Sequence, residues 1–187
     1  MSLVELIAQA DERGLAASGL ACLDRCVPLL GGDDDVLRPL WASLVDGQEW
    51  GERVAKVRGE LASVASGGAE PVEEAVVLAR RMLAAVPDQR SVEALREWAD
   101  DCSLAALRIH VLLDPGSGGG ADSVVDGREG RTEQMSHLVA AELRRQVAVL
   151  ELLAGHGVAG VRQALQVSTE GRRVLRAVVS RRARGRG

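Results

Sequence analysis

The sequence predicts an all-α protein, a single irregular helical bundle, and three observations support this. The 187 residues are 47% hydrophobic and 27% charged, which is the balance of a folded globular domain. The chain holds three Trp but no Tyr and no Phe, whereas strands favour aromatic and β-branched residues. Leucine, alanine and valine recur instead at helical spacing. We therefore expect about seven helices, with a short α-solenoid of helical hairpins as the alternative.

The N-terminal half divides into helices at its Gly, Pro and Asp clusters. Ser2 and Glu5 have the spacing of a capping box and predict a first helix that ends near Gly14. Residues 15–30 are apolar on nearly every face, so this helix is predicted to be central in the bundle. Two shorter helices follow, and a strongly amphipathic helix begins around Pro71.

The solenoid alternative depends on one short match. Trp41 and Leu44 have the opening spacing of a tetratricopeptide repeat. Val45 and Gln48 then depart from that repeat, because they replace its glycine and its next aromatic residue. An irregular bundle is therefore the preferred prediction.

Two long helices are predicted in the second half of the chain. One runs from the N-cap Ser91 to Asp114, which precedes a proline. The other is predicted from Thr132 to Gly155, so each is about 35 Å long. We expect an antiparallel pair whose contact involves Leu95, Ile109, Val139 and Leu150.

Two further segments set the predicted domain organisation. Residues 115–130 are rich in glycine without apolar periodicity, which predicts a mobile loop. A last helix is expected over about 158–179, with a break near Ser168. Residues 1–171 are thus predicted to form the bundle, and residues 172–187 an arginine-rich helix end and tail.

The C-terminal end carries seven arginines and no acidic residue over residues 172–187, although the whole chain has a net charge of −4. Such a segment binds nucleic acid, an anionic surface or an acidic partner, or it folds back onto the acidic body. The preceding residues faintly resemble a helix-turn-helix. They depart from it at Arg162, Gln166 and Arg172, where a small residue, a glycine and a core residue are usual.

No metal or cofactor is predicted. Cys22 and Cys26 lie four residues apart in an apolar helix, which indicates core thiols without a metal or a disulfide. Residues 122–133 have part of the spacing of a calcium-binding loop, but Val124 occupies a ligand position. The glycine run 116–120 lacks the lysine and the preceding strand of a phosphate-binding loop.

No catalytic motif is present, and an enzymatic function is not predicted. The acidic ladder of Glu93, Glu97 and Asp101 is aligned with Arg96 and Arg108, and these residues are interpreted as a solvent-exposed helix face. Glu133 and His137 form a pair near a helix start, which the helix dipole and solvent explain.

The sequence therefore predicts a non-enzymatic helical module for protein–protein interaction or regulation, with a protein partner or a second copy. The alternatives are a small apolar ligand held between helices and nucleic acid bound by the basic tail.

No apolar run approaches the roughly 20 residues that span a bilayer, and no secretion signal is recognised, which favours a cytoplasmic protein. Lys56 is the only lysine, which suggests a bacterial source with GC-rich DNA. The candidate partner-binding residues are Trp41, Trp50, Trp98, Arg172, Arg173, Arg176, Arg181 and Arg182.

Overall fold

The computed structural model describes residues 1–62, 70–114, 116 and 120–185, and within these ranges it contains ten α-helices and no strand. The predicted all-α bundle is confirmed. The count exceeds about seven because short helices such as α3 and α8 were not predicted. The helices are α1 (Leu3–Gln9), α2 (Glu12–Arg25), α3 (Val27–Leu30), α4 (Arg38–Asp46), α5 (Trp50–Ala62), α6 (Glu70–Ala84), α7 (Val92–Leu113), α8 (Ala121–Arg128), α9 (His137–His156) and α10 (Val158–Arg184).

Helix α2 is the centre of the bundle, as its apolar sequence predicts. It packs against α7, α9 and α10, and Leu15, Leu20 and Leu23 have no exposed surface. The α2–α7 contact is close because Gly19 has no side chain, since a Cβ atom there would collide with the ring of Trp98. Small residues on α2 therefore bring the other long helices within packing distance.

The first helix begins where the sequence predicts and ends earlier. Ser2 caps α1, and its backbone N–H donates to Glu5 Oε2 at 2.7 Å, which completes the predicted capping box. The expected end near Gly14 is wrong because Asp11 begins a new helix. Its carboxylate accepts the backbone N–H of Gly14 at 2.7 Å, so the chain turns after Ala10.

The two predicted long helices are present and in direct contact. Ser91 caps α7 by accepting the N–H of Ala94 at 3.2 Å, as expected. Helix α9 begins at His137 rather than Thr132, because Ser136 is the residue that caps it. The helices run in opposite directions, and both also pack on α2. Antiparallel order is shown by the pairs Ser103–Gln146 and His110–Glu142.

Two elements differ from the sequence-based expectation. Helix α8 lies within the segment predicted as a loop, and it is held by the buried Val124 and Arg128. Residues 115 and 117–119 of that loop, where the glycine run lies, are outside the described residues. Helix α10 passes through Ser168 without a break, and the hydroxyl of Ser168 donates to the carbonyl of Ala164 within the same helix. It also continues across the domain boundary predicted between residues 171 and 172.

In the part of the chain that the structure describes, no helix combines the length and the apolar character needed to span a membrane.

Candidate functional site

A buried ion pair lies at the junction of α2, α7, α9 and α10. Arg25 on α2 donates from Nη2 to Glu142 Oε1 at 2.7 Å and from Nε to Oε2 at 2.9 Å. Neither side chain has any exposed surface. A bidentate pair of this kind is strong only while both partners are present, because a single buried charge is very costly. Arg25 and Glu142 therefore hold α2 and α9 together.

Polar side chains from three helices complete the surroundings of Glu142. Gln146 donates to Glu142 Oε1 at 3.0 Å, and Ser103 donates to Gln146 Oε1 at 2.6 Å. Arg128 on α8 donates to the Ser103 hydroxyl at 3.1 Å. Burial alone would raise the pKa of Glu142, but the charge of the neighbouring Arg25 lowers it below its usual value. The carboxyl group is thus held as a carboxylate in the interior.

His110 is a neutral member of this cluster. Its Nδ1 lies 2.7 Å from the carbonyl oxygen of Ala106, and because a carbonyl can only accept, Nδ1 carries the proton. Its Nε2 lies 3.7 Å from Glu142 Oε2 and makes no hydrogen bond. Burial lowers the pKa of His110, and this outweighs the opposite effect of Glu142.

The cluster is built for packing rather than for contact with a substrate. Arg25, Ser103, His110, Glu142 and Gln146 are all buried, so no reactant reaches them in this conformation. Helix α10 closes the cluster from the outside at a glycine, residue 171. A Cβ atom at that position would collide with the side chain of Arg25. The cluster therefore fixes how four helices meet.

A second polar network joins α10 to the N-terminal half. Asp24 on α2 accepts the indole N–H of Trp41 at 3.1 Å and forms an ion pair with Arg172. Arg176, one turn further along α10, forms an ion pair with Asp34. Burial raises the pKa of Asp24, although Arg172 acts in the opposite direction. A hydrogen bond from Arg176 lowers the pKa of Asp34.

The structure separates the predicted partner-binding arginines into two groups. Arg172 is buried, Arg176 is ion-paired, and Arg182 donates from Nε to the carbonyl of Leu113 at 3.0 Å. These three contacts fit the alternative in which the basic segment folds back onto the acidic body. Arg173 and Arg181 are exposed, and partner binding by either stays a prediction.

All three predicted partner-binding tryptophans are buried, with exposed fractions of 3% for Trp41, 5% for Trp50 and 2% for Trp98. The indole N–H of Trp50 donates to the carbonyl of Pro87 at 2.8 Å, and that of Trp98 to the carbonyl of Met82 at 3.0 Å. Buried indoles with satisfied N–H groups are typical core residues. Trp98 differs from the other two in that it also lines a surface groove.

This groove, of about 290 Å³, lies between α6 and α7. Charged residues border it: Arg81 on α6 and Asp101 and Arg108 on α7 are exposed. None of the three is ion-paired within the described ranges. Cys102 lies at its base and is buried. The other lining residues are apolar: Leu78, Met82, Ala85, Trp98, Leu104 and Ala105.

The sequence contains a signal for this groove. Asp101 and Arg108 are predicted on a solvent-exposed face of α7, and they are exposed. Between them lie Leu104 and Ala105, which are half-buried and face the groove. Apolar residues inside a charged helix face were the missed indication of a surface for a partner.

The residues that the sequence analysis considered as possible metal ligands lie mainly in the core or in helices. Cys22, Cys26 and Cys102 are free and buried, and burial raises the pKa of Cys22 to about 12. Across the described ranges, no group of three or more His, Cys, Asp or Glu side chains could hold a metal ion. The segment with calcium-loop spacing is helical up to Arg128, and Asp126 forms an ion pair with Arg131.

No protein-family model, no curated protein and no solved structure matches this chain. The chemistry of its own side chains is therefore what points to a function.

Proposed function

We propose that this protein is a helical protein–protein interaction module whose α6–α7 groove receives a helix of its partner. The observation that carries this proposal is the groove itself, with half-buried Leu78, Leu104 and Ala105 beside exposed charges. An apolar patch with a polar rim is a typical feature of an interaction site. Docking of an amphipathic helix in an apolar groove is a common mode of recognition.

The size and shape of the groove favour a helix over a small apolar ligand. Pockets for drug-sized ligands occupy about 300–1,000 Å³ and bury most of the ligand. The α6–α7 groove, at about 290 Å³, lies just below this range and has exposed Arg81, Asp101 and Arg108 along its edges. It suits two or three side chains of a helix that lies across α6 and α7.

The contacts of α10 give less support to nucleic-acid binding. Arg172 and Arg176 are paired with carboxylates, and Arg182 is bonded to a backbone carbonyl. A paired arginine cannot neutralise a phosphate without first losing its own partner. Of the predicted partner-binding arginines, the exposed Arg173 and Arg181 remain available for contact with a phosphate.

Site-specific photo-crosslinking tests the proposal. A photoreactive amino acid placed at Ala105, inside the groove, is expected to crosslink to a helical segment that mass spectrometry identifies. The same group at the exposed Glu97, on the same helix but outside the groove lining, is the matched control. The substitution Leu78→Glu should abolish the product at Ala105, with circular dichroism checking that the variant folds. Equal products at both positions, or a product unaffected by Leu78→Glu, would overturn the proposal.

A further inference from the structure

The exposed face of α7 has opposite charges at equal distances from an apolar centre. Asp101 and Arg108 are exposed and seven residues apart, so they lie about 10.5 Å apart along the helix axis. Leu104 and Ala105 lie midway between them and are half-buried. A rotation of 180° about an axis through this midpoint exchanges the positions of Asp101 and Arg108. The face is therefore complementary in charge to a second copy of itself.

We propose that the helix received by the α6–α7 groove is α7 of a second copy, packed antiparallel about a two-fold axis. This inference rests on the proposed function and names its partner. In such a dimer Asp101 of each copy pairs with Arg108 of the other, so one pair of residues supplies two ion pairs. Interfaces of this isologous kind, with the same patch on both subunits, are the commonest in soluble oligomers.

The side chains on α7 and α6 meet the needs of this packing. Asp101 and Arg108 have no ion-pair partner in the described residues of their own chain, so both are free to form one with a second copy. Ala105 is small and allows two helices to approach closely. Leu104 of the second copy would face Leu78 on α6, which lines the same groove.

Helix α9 presents a rival face with the same spacing. Arg144 and Glu151 are exposed and seven residues apart, with half-buried Val147 and Ala148 between them. The groove beside this face is lined by the apolar residues Met1, Leu3 and Leu143 and by the polar or small residues Ser2, Gly127, Gly130 and Thr132. The groove beside α7 contains an aromatic residue, Trp98, and aromatic residues are enriched at interfaces, which favours α7.

Charge reversal with the full chain tests the dimer, with sedimentation equilibrium as the readout. The wild type is expected to self-associate. Asp101→Arg and Arg108→Asp, each alone, place like charges opposite each other in both pairs and should weaken association by about tenfold or more. An equimolar mixture of the two variants should restore association, because every interface then joins a doubly basic face to a doubly acidic one.

The α9 charges supply the matched control. Arg144→Asp and Glu151→Arg reverse exposed charges at the same spacing and should leave association unchanged. A monomeric wild type, a dimer that the α9 variants dissociate, or a mixture that stays monomeric would overturn the inference. A monomer whose Ala105 position still crosslinks to a helix of another protein would retain the proposed function and remove the two-fold dimer.

Discussion

Arg25 and Glu142 lie 117 residues apart in the sequence and form a bidentate ion pair from which solvent is excluded. The pair joins the central helix α2 to α9, and α10 covers it at Gly171. The chain thus has a polar connection inside a core built mainly of leucine, alanine and valine.

Neutralising Glu142 should destabilise the fold strongly. In Glu142→Gln the guanidinium of Arg25 stays buried without a countercharge, and breaking a buried pair in this way costs about 3–5 kcal/mol. Glu151→Gln, an exposed position on the same helix, should change the free energy of unfolding by less than about 0.5 kcal/mol. Urea unfolding followed by circular dichroism measures both. Similar changes in the free energy of unfolding for the two variants would show that the Arg25–Glu142 pair does not stabilise the bundle.

A methyl group at position 171 should also be destabilising, although alanine is the better helix former. In Gly171→Ala the new Cβ atom meets the side chain of Arg25, and overpacking of this kind costs about 1–3 kcal/mol. Gly59→Ala is the control, because nothing lies within 4 Å of a Cβ atom there. It should stabilise the protein by up to about 1 kcal/mol through helix propensity. Thermal melts of the two variants should therefore shift in opposite directions, and a shift in the same direction would contradict the packing at Gly171.

His110 should make the protein less stable as the pH falls. Burial lowers its pKa in the folded state below the ordinary value of 6.5, so on acidification the unfolded chain takes up this proton first. The contribution of His110 to stability is complete above pH 6.5 and is lost progressively as the pH falls from there towards the lowered folded-state pKa. His110→Gln removes this titration and should flatten the unfolding free energy over that window. Urea titrations at closely spaced pH values compare the two proteins, and parallel profiles would be inconsistent with a buried neutral imidazole.

The two arginine contacts of α10 should differ in their energetic weight. Arg172 pairs with the buried Asp24, so Arg172→Gln leaves that carboxylate without its cation and should cost several times more than Arg176→Gln. The Arg176–Asp34 pair is 44% and 47% exposed, and surface pairs contribute at most about 1 kcal/mol. Chemical denaturation of both variants gives the comparison. Equal losses in the free energy of unfolding would mean that the burial of Asp24 does not increase the contribution of its ion pair to stability.

Local signals predicted most of the helix boundaries, because caps and prolines act over three or four residues. Ser2 and Ser91 begin helices as expected, and α7 ends just before Asp114. Errors arose where two such signals competed. Asp11 caps a helix three residues before Gly14, where the first helix is predicted to end, and Ser136 caps α9 four residues after the predicted start at Thr132.

The buried cluster could not be predicted from one sequence. Arg25 stands in a helix predicted to be apolar on nearly every face, which was a sign that it needs a buried partner. Glu142 shares the buried face of α9 with Val139 and Gln146, at three- and four-residue steps. Periodicity can place each residue on a buried face, but it cannot say which faces meet. That information is in the tertiary contacts between distant helices.

The candidate groove was hidden for a related reason. The sequence placed Asp101 and Arg108 on one helix face correctly, and it made Trp98 a candidate contact residue. The groove exists because α6 lies alongside α7 and contributes Leu78 and Arg81 to it. A surface that two helices share has no signature in either helix alone.

The interior ion pair has a consequence for the uniqueness of the fold. Aliphatic side chains of similar size interdigitate almost equally well when one helix slides past another, so they discriminate poorly between alignments. Sliding α9 by one turn would carry Glu142 about 5.4 Å away from Arg25 and leave both charges buried without an ion-pair partner. We expect this penalty to select a single alignment of α9 on α2. The two charged residues then exclude the alternative alignments that the apolar side chains alone would tolerate.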